Sequence, residues 1–135
     1  NPRGDGIEYG RIHFKHLAMG IILLDNDLNT YLVDQWRYPL NAYSWENSMG
    51  GGHLDGDSLG FAKRELVEET GLKTACWERL SKVHLSNWVS DEVGYIYLAK
   101  KLTFGATQFD KSEDLKIKTA FKKNCINVFR WLNNR

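Results

Sequence analysis

The chain has 135 residues, about one domain's worth, and its 42% hydrophobic and 26% charged residues can bury a core without disulfide staples or a structural metal. Its 18 basic and 17 acidic side chains leave a formal net charge of +1, which excludes the electrostatic footprint of a nucleic-acid binder. The apolar run Met19 to Leu24, with one Gly inside, is much too short to span a bilayer, so no membrane partner is expected.

In chain order, Ile7 to Phe14 alternates apolar and polar residues as a half-buried strand does. Leu17 to Leu24 reads as a buried strand ended by the turn Asp25-Asn26-Asp27, with Asn29 to Trp36 as its hairpin partner. A loop through Pro39 and Asn41 leads to a short aromatic strand at Tyr43 to Glu46. At Gly50, Gly51 and Gly52 the backbone must turn or approach something closely. The period then becomes helical from Ser58 to Thr70, with Leu59, Ala62 and Leu66 on one apolar stripe. Ser58 suits the N-cap and Gly71 the left-handed C-terminal cap.

Trp77 to His84 and Val93 to Leu98 are further predicted strands, joined by a loop at Ser86 to Glu92. Asp110 to Asp114 is a polar loop, Leu115 to Ile117 a last strand, and Phe121 to Leu132 an amphipathic helix. No repeat, low-complexity tract or linker interrupts the chain, so residues 1–135 are expected to form a single domain. Cys76 and Cys125 have no Cys-x-x-Cys pattern and are expected to be reduced thiols, which points to the cytoplasm. No signal peptide is visible, and the start at Asn1 rather than Met reads as a trimmed terminus.

The informative stretch is Arg64-Glu65-Leu66-Val67-Glu68-Glu69-Thr70-Gly71-Leu72. Glu65, Glu68 and Glu69 are three and four residues apart and project from one helical face, where each like-charge pair costs about 0.2–0.5 kcal/mol. Either this is a solvated charged face, tempered by Lys63 and Arg64, or a divalent cation neutralises it. Mg²⁺ takes carboxylate oxygens, keeps waters and bridges to phosphates, and the neighbouring glycines would let backbone approach both.

Reading backward from Arg64, seven residues lead to Gly56, and five more separate that from Gly50. This resembles the Nudix box: Gly, five residues, Glu, seven residues, then Arg-Glu-U-x-Glu-Glu-x-Gly-U with U aliphatic. Gly50, Arg64, Glu65, Leu66, Glu68, Glu69, Gly71 and Leu72 match, and Gly56 stands where the first Glu belongs. LVDQWRYPLNAYSWE before the box, and HLSN and DE around residues 84 to 92, resemble the ADP-ribose pyrophosphatase branch.

The resemblance covers about residues 7 to 118 and implies an α/β (α+β) Nudix fold, a mixed β-sheet sandwiched between helices. It also implies Mg²⁺-dependent (or Mn²⁺-dependent) cleavage of ADP-ribose or a related nucleoside diphosphate sugar into two monophosphates. Carried over, Glu65, Glu68 and Glu69 are the metal ligands, joined by the backbone carbonyl of Met49, and Arg64 orients the carboxylates. Glu113 falls where the branch has its general base, with Asp114 as the alternative; a solvated loop acid is the plainer reading of either. Arg37 matches an arginine that reaches the phosphates, although a surface salt bridge would also explain it.

Glu46 and Glu92 align with acidic positions near the metal site, and Gly51 belongs to the glycine run expected at the substrate. Trp45 and Trp88 either stack on a base or simply pack in the core. His13, His16, His53 and His84 show no metal-ligand spacing and are expected to be structural or exposed. Relatives often pair, so a homodimer is expected. In relatives the first box Glu pairs with the box arginine; without it, a looser loop and slower turnover follow unless Asp55 or Asp57 substitutes. Two other functions compete: cleavage of a different nucleotide sugar such as GDP-mannose, and a non-catalytic domain that senses a nucleotide.

Overall fold

The computed structural model describes residues 8–104 and the strand at 116–120. Strand β1 (His16–Leu24) buries Leu17, Met19, Ile21 and Leu23 on alternate positions, as a period of two requires. It is followed by β2 (Thr30–Arg37), a 3-10 turn at Tyr38–Leu40, β3 (Ala42–Glu46) and β4 (Ser48–His53). Helix α1 (Ser58–Thr70) then leads to β5 (Leu72–Lys73), β6 (Cys76–His84), β7 (Val93–Lys100), β8 (Thr103–Phe104) and β9 (Lys116–Ala120).

The principal sheet has the order β4-β1-β7-β6 and is mixed, because β1 runs parallel to β7 and antiparallel to β4. A second sheet, β3-β2-β9, is antiparallel, and β5 pairs with β8. The core lies where the Leu17 to Leu23 face of β1, with Tyr97 and Ala99 of β7, meets Ala62 and Leu66 of α1 and Leu72.

Four sequence expectations change. The alternation at Ile7 to Phe14 does not make a strand: within residues 8–14 a single bridge joins Ile12 to Ser90. That arm is held by backbone hydrogen bonds at Ile12, whose amide donates to the Val89 carbonyl at 2.8 Å, and by Asp91, whose carboxylate lies 2.7 Å from His13 Nδ1 and accepts from the Phe14 amide at 3.0 Å. The turn at Asp25 forms, with the Asp25 carboxylate accepting from the amides of Asp27 and Asn29. Yet β2 is not the hairpin partner of β1, because β4 and β7 occupy both edges of β1 and send β2 to the other sheet.

The N-cap of α1 is Asp57, not Ser58: Asp57 is extended and its carboxylate accepts from the Leu59 amide at 3.1 Å. Ser58 is the first helical residue, and its hydroxyl shares a hydrogen bond of 2.7 Å with Tyr97. Gly71 does close the helix in the left-handed region, at φ 67°, its amide donating to Val67. The last strand is Lys116–Ala120 rather than Leu115 to Ile117. The predicted loop at 110–114 and terminal helix at 121–132 lie outside the described residues, within which one α-helix accompanies the mixed sheet, the antiparallel sheet and the β5–β8 pair.

Candidate functional site

Helix α1 lies against the edge strand β4, and the two match turn for strand. Four helical residues rise about 6 Å, and two strand residues advance about 6.6 Å. Side chains at i and i+4 of α1 therefore keep step with alternate residues of β4. Glu69 meets Ser48, Glu65 meets Gly50 and Phe61 meets Gly52. A Cβ built on Gly50 would fall on Glu65 Cγ, and one on Gly52 on the Phe61 ring. The glycine run is thus no turn but a strand stripped of side chains on the face that receives the helix. Gly51 points the other way, beside Ala18, where a Cβ would make only ordinary contact with the Leu17 carbonyl at 3.5 Å.

The three acids do not share one environment. Glu69 is buried at 6% exposure, and its two carboxylate oxygens accept from the Gln35 amide at 3.2 Å and from the Ser48 hydroxyl. The Glu65 side chain is 18% exposed and takes Arg64 at 3.3 Å, whereas Glu68 is 55% exposed with Arg64 3.6 Å away. Glu68 thus fits the solvated-face reading, and Glu65 and Glu69 do not. Arg64, lacking an acid at Gly56, also lies over the Phe61 ring, 5.3 Å from its centroid. That ring fills the space beside Gly56, where a Cβ would lie 2.5 Å from Phe61 Cε2 and 3.2 Å from the His53 carbonyl. Asp57 is committed to capping α1.

On the opposite face of the principal sheet lies a cleft of about 480 Å³. Ala18, Gly20, Met49 and Ile96 are among its lining residues, and Arg37 and Glu92 supply charge. Gly50 also lines it, so Glu65 stands directly behind the backbone that bounds the cleft. Arg37 is held by Glu46 in a forked contact, Nε at 3.0 Å and Nη2 at 2.6 Å from its oxygens. Glu46 is in turn kept below the ordinary carboxylate range, first by the hydrogen bond from Arg37, against the opposing effect of burial. Arg37 therefore makes the salt bridge and faces the cleft as well.

Of the sequence candidates, Arg37, Met49 and Glu92 come together at the cleft, with Glu46 attached through Arg37, while Glu65 and Glu69 gather behind β4. Trp88 is 71% exposed on the turn after β6, where its carbonyl accepts from the Tyr9 hydroxyl, and Trp45 is half-exposed on β3. Core packing therefore explains neither. Glu113 and Asp114 lie outside the described residues. Among the described residues no three His, Cys, Asp or Glu are gathered closely enough to hold a metal ion. Sequence reading gave no site role to Ser48, Gln35 or Phe61. Ser48 had a signal, its period-of-two relation to Gly50 and Gly52, whereas Gln35 comes from a different sheet and left none.

The family model of the NUDIX domain matches residues 14–122, more than half of the chain, and the chain belongs to that family. Over 86 residues it is 33% identical to an ADP-ribose pyrophosphatase of Mycobacterium tuberculosis (strain ATCC 25618 / H37Rv), covering 63% of this chain and 42% of the relative. A methanol dehydrogenase activator of Bacillus methanolicus is also 33% identical over 86 residues, with 64% and 46% covered. The chain thus spans less than half the length of these curated relatives. A solved ADP compounds hydrolase superposes with a TM-score of 0.73 at 20% identity, over 87% of this chain and 63% of that one, which shows the shared α+β fold.

Proposed function

We propose that the protein is a divalent-cation-dependent pyrophosphohydrolase that cleaves ADP-ribose or a related nucleoside diphosphate sugar. The observation that carries the reading is the seating of Glu65 and Glu69 against β4, with the backbone of Gly50 between them and a cleft that presents Arg37. The name of the mycobacterial relative, an ADP-ribose pyrophosphatase, supports this substrate class.

The residues fit Mg²⁺ or Mn²⁺ chemically. Carboxylates are hard oxygen donors, and Mg²⁺ is commonly held by one or two of them with waters and substrate phosphates completing its shell. Glu65 and Glu69 are the proposed ligands, with the Met49 carbonyl as a further donor. When bound, the cation supplies Lewis-acid polarisation of the phosphoryl oxygens. Arg37, oriented by Glu46, offers a planar fork of donors to the pyrophosphate. Gly51 leaves the outer face of β4 open to the substrate, and Arg64 steadies Glu65 and Glu68.

In the reaction, a water oxygen bonds to one phosphorus, the bridging P–O bond breaks, and the leaving monophosphate carries away its electron pair. Glu113, at the sequence position where the branch has its general base, is proposed to take the water proton. Trp88, solvent-exposed on the turn that begins at the cleft residue Leu85, is proposed to stack on the base. A homodimer and a cytoplasmic location complete the proposal. Among the described residues Trp36, Tyr38, Leu40 and Tyr43 give β2 and β3 an exposed apolar rim suited to pairing, and no helix is long and apolar enough to cross a membrane.

The test is a substrate panel of ADP-ribose and GDP-mannose with Mg²⁺, with Ca²⁺ in parallel. Turnover of ADP-ribose with Mg²⁺ is expected. Turnover of GDP-mannose alone would move the substrate class, and binding without consumption in either cation would make the domain a sensor.

A further inference from the structure

Glu69 is a carboxylate taken out of water, and such a group is costly unless hydrogen bonds replace what it loses. Both of its oxygens accept a side-chain hydrogen bond, from Ser48 on β4 and from Gln35 on β2. Ser48 is fully buried at 0% exposure, and Gln35 reaches across from the other sheet. Three elements, α1, β4 and β2, therefore fix the plane of this one carboxylate. We propose that Ser48 and Gln35 are positioning residues that aim Glu69 at a divalent cation. This inference rests on the metal-dependent reading above.

An ionised carboxylate has roughly four lone-pair sites, more than the hydrogen bonds from Ser48 and Gln35 use, so these donors can orient it without being its sole partners. Donors that fix a ligand's orientation act on metal affinity without touching the metal, and losing one typically costs about 10–100-fold. A residue that only satisfied a buried charge would act otherwise. Its loss would lower the stability of the fold and leave the cation affinity of the folded protein alone. The box acids themselves do not contain this feature, because Ser48 precedes Gly50 and Gln35 belongs to another sheet.

The experiment is a Mn²⁺ titration of the purified chain, following free Mn²⁺ by electron paramagnetic resonance. Wild type, Ser48→Ala and Gln35→Met are compared at a temperature where circular dichroism shows each folded. Each variant is expected to bind Mn²⁺ about tenfold or more weakly than wild type. Gln35→Met, at a half-buried position, carries the test if Ser48→Ala does not fold. Affinities within twofold of wild type would overturn the inference while leaving the metal reading standing. Tighter binding by Ser48→Ala would also overturn it, because Ser48 would then be holding Glu69 away from the cation. A wild type that binds no Mn²⁺ would remove the metal reading and the inference together.

Discussion

The Arg37 guanidinium and the Glu46 carboxylate hold one another beside the cleft, and the pairing carries a pH dependence. Glu46 titrates below the ordinary carboxylate range, chiefly through the hydrogen bond from Arg37. A group depressed on folding contributes stability above its unfolded value and loses it as pH falls through its folded value. This pair therefore supports the β2–β3 sheet at neutral pH and gives way only in acid. Arg37→Ala is expected to return the Glu46 carboxyl toward its ordinary value in a carbon-detected NMR titration, and to slow turnover as well. An unmoved Glu46 would mean that Arg37 is not what holds it. Arg37 could be picked out in the sequence by its place after Trp36, but its partner could not. Arg37 and Glu46 lie on paired strands but not opposite one another, Arg37 facing Ala42 and Glu46 facing Val33, so their contact depends on long side chains reaching along the ladder, which no local pattern encodes.

At the scale of elements, α1 and β4 interlock through Ser48–Glu69, Gly50–Glu65 and Gly52–Phe61. The helix was legible because a stripe of Leu59, Ala62 and Leu66 sits at helical spacing and Gly71 closes it. Its cap differs by one residue because Asp57 and Ser58 are both good N-caps: Asp57 caps the Leu59 amide, while the Ser58 hydroxyl is taken up by a hydrogen bond shared with the Tyr97 hydroxyl. The glycines were legible as a close approach, but not as a strand, because glycine carries no periodic signal of its own. At Gly56 the sequence pattern and the local packing pull in opposite directions. Restoring a glutamate there promises higher activity if the pattern is taken by itself, but Phe61 occupies the room that a side chain needs. Gly56→Glu is therefore expected to lower stability by about 1–3 kcal/mol through overpacking. Urea unfolding checks this, and Phe61→Leu in the same chain should recover part of the loss. A variant as stable as the parent and faster in turnover would show that the loop yields and that the missing acid matters.

Across the whole molecule, strands were more legible than sheets. The alternation of β1 and the apolar content of β7 announce themselves, but the assignment of β2 to a second sheet depends on β4 and β7 having taken both edges of β1. The arm at residues 8–14 alternates like a strand and yet joins the fold through the backbone of Ile12 and through Asp91, contacts no local pattern encodes. The candidate site follows the same rule. Its acids and its arginine were legible by residue type and spacing, whereas the separation of Glu65 and Glu69 from the cleft by the backbone of β4 is a property of the assembled sheet and helix. The most direct measurement on the central claim is product chromatography after incubation with ADP-ribose and Mg²⁺, for wild type and for Glu69→Gln. The account predicts AMP and ribose 5-phosphate from the wild type, and a rate lower by orders of magnitude in a folded Glu69→Gln. Equal rates in the two proteins would contradict it.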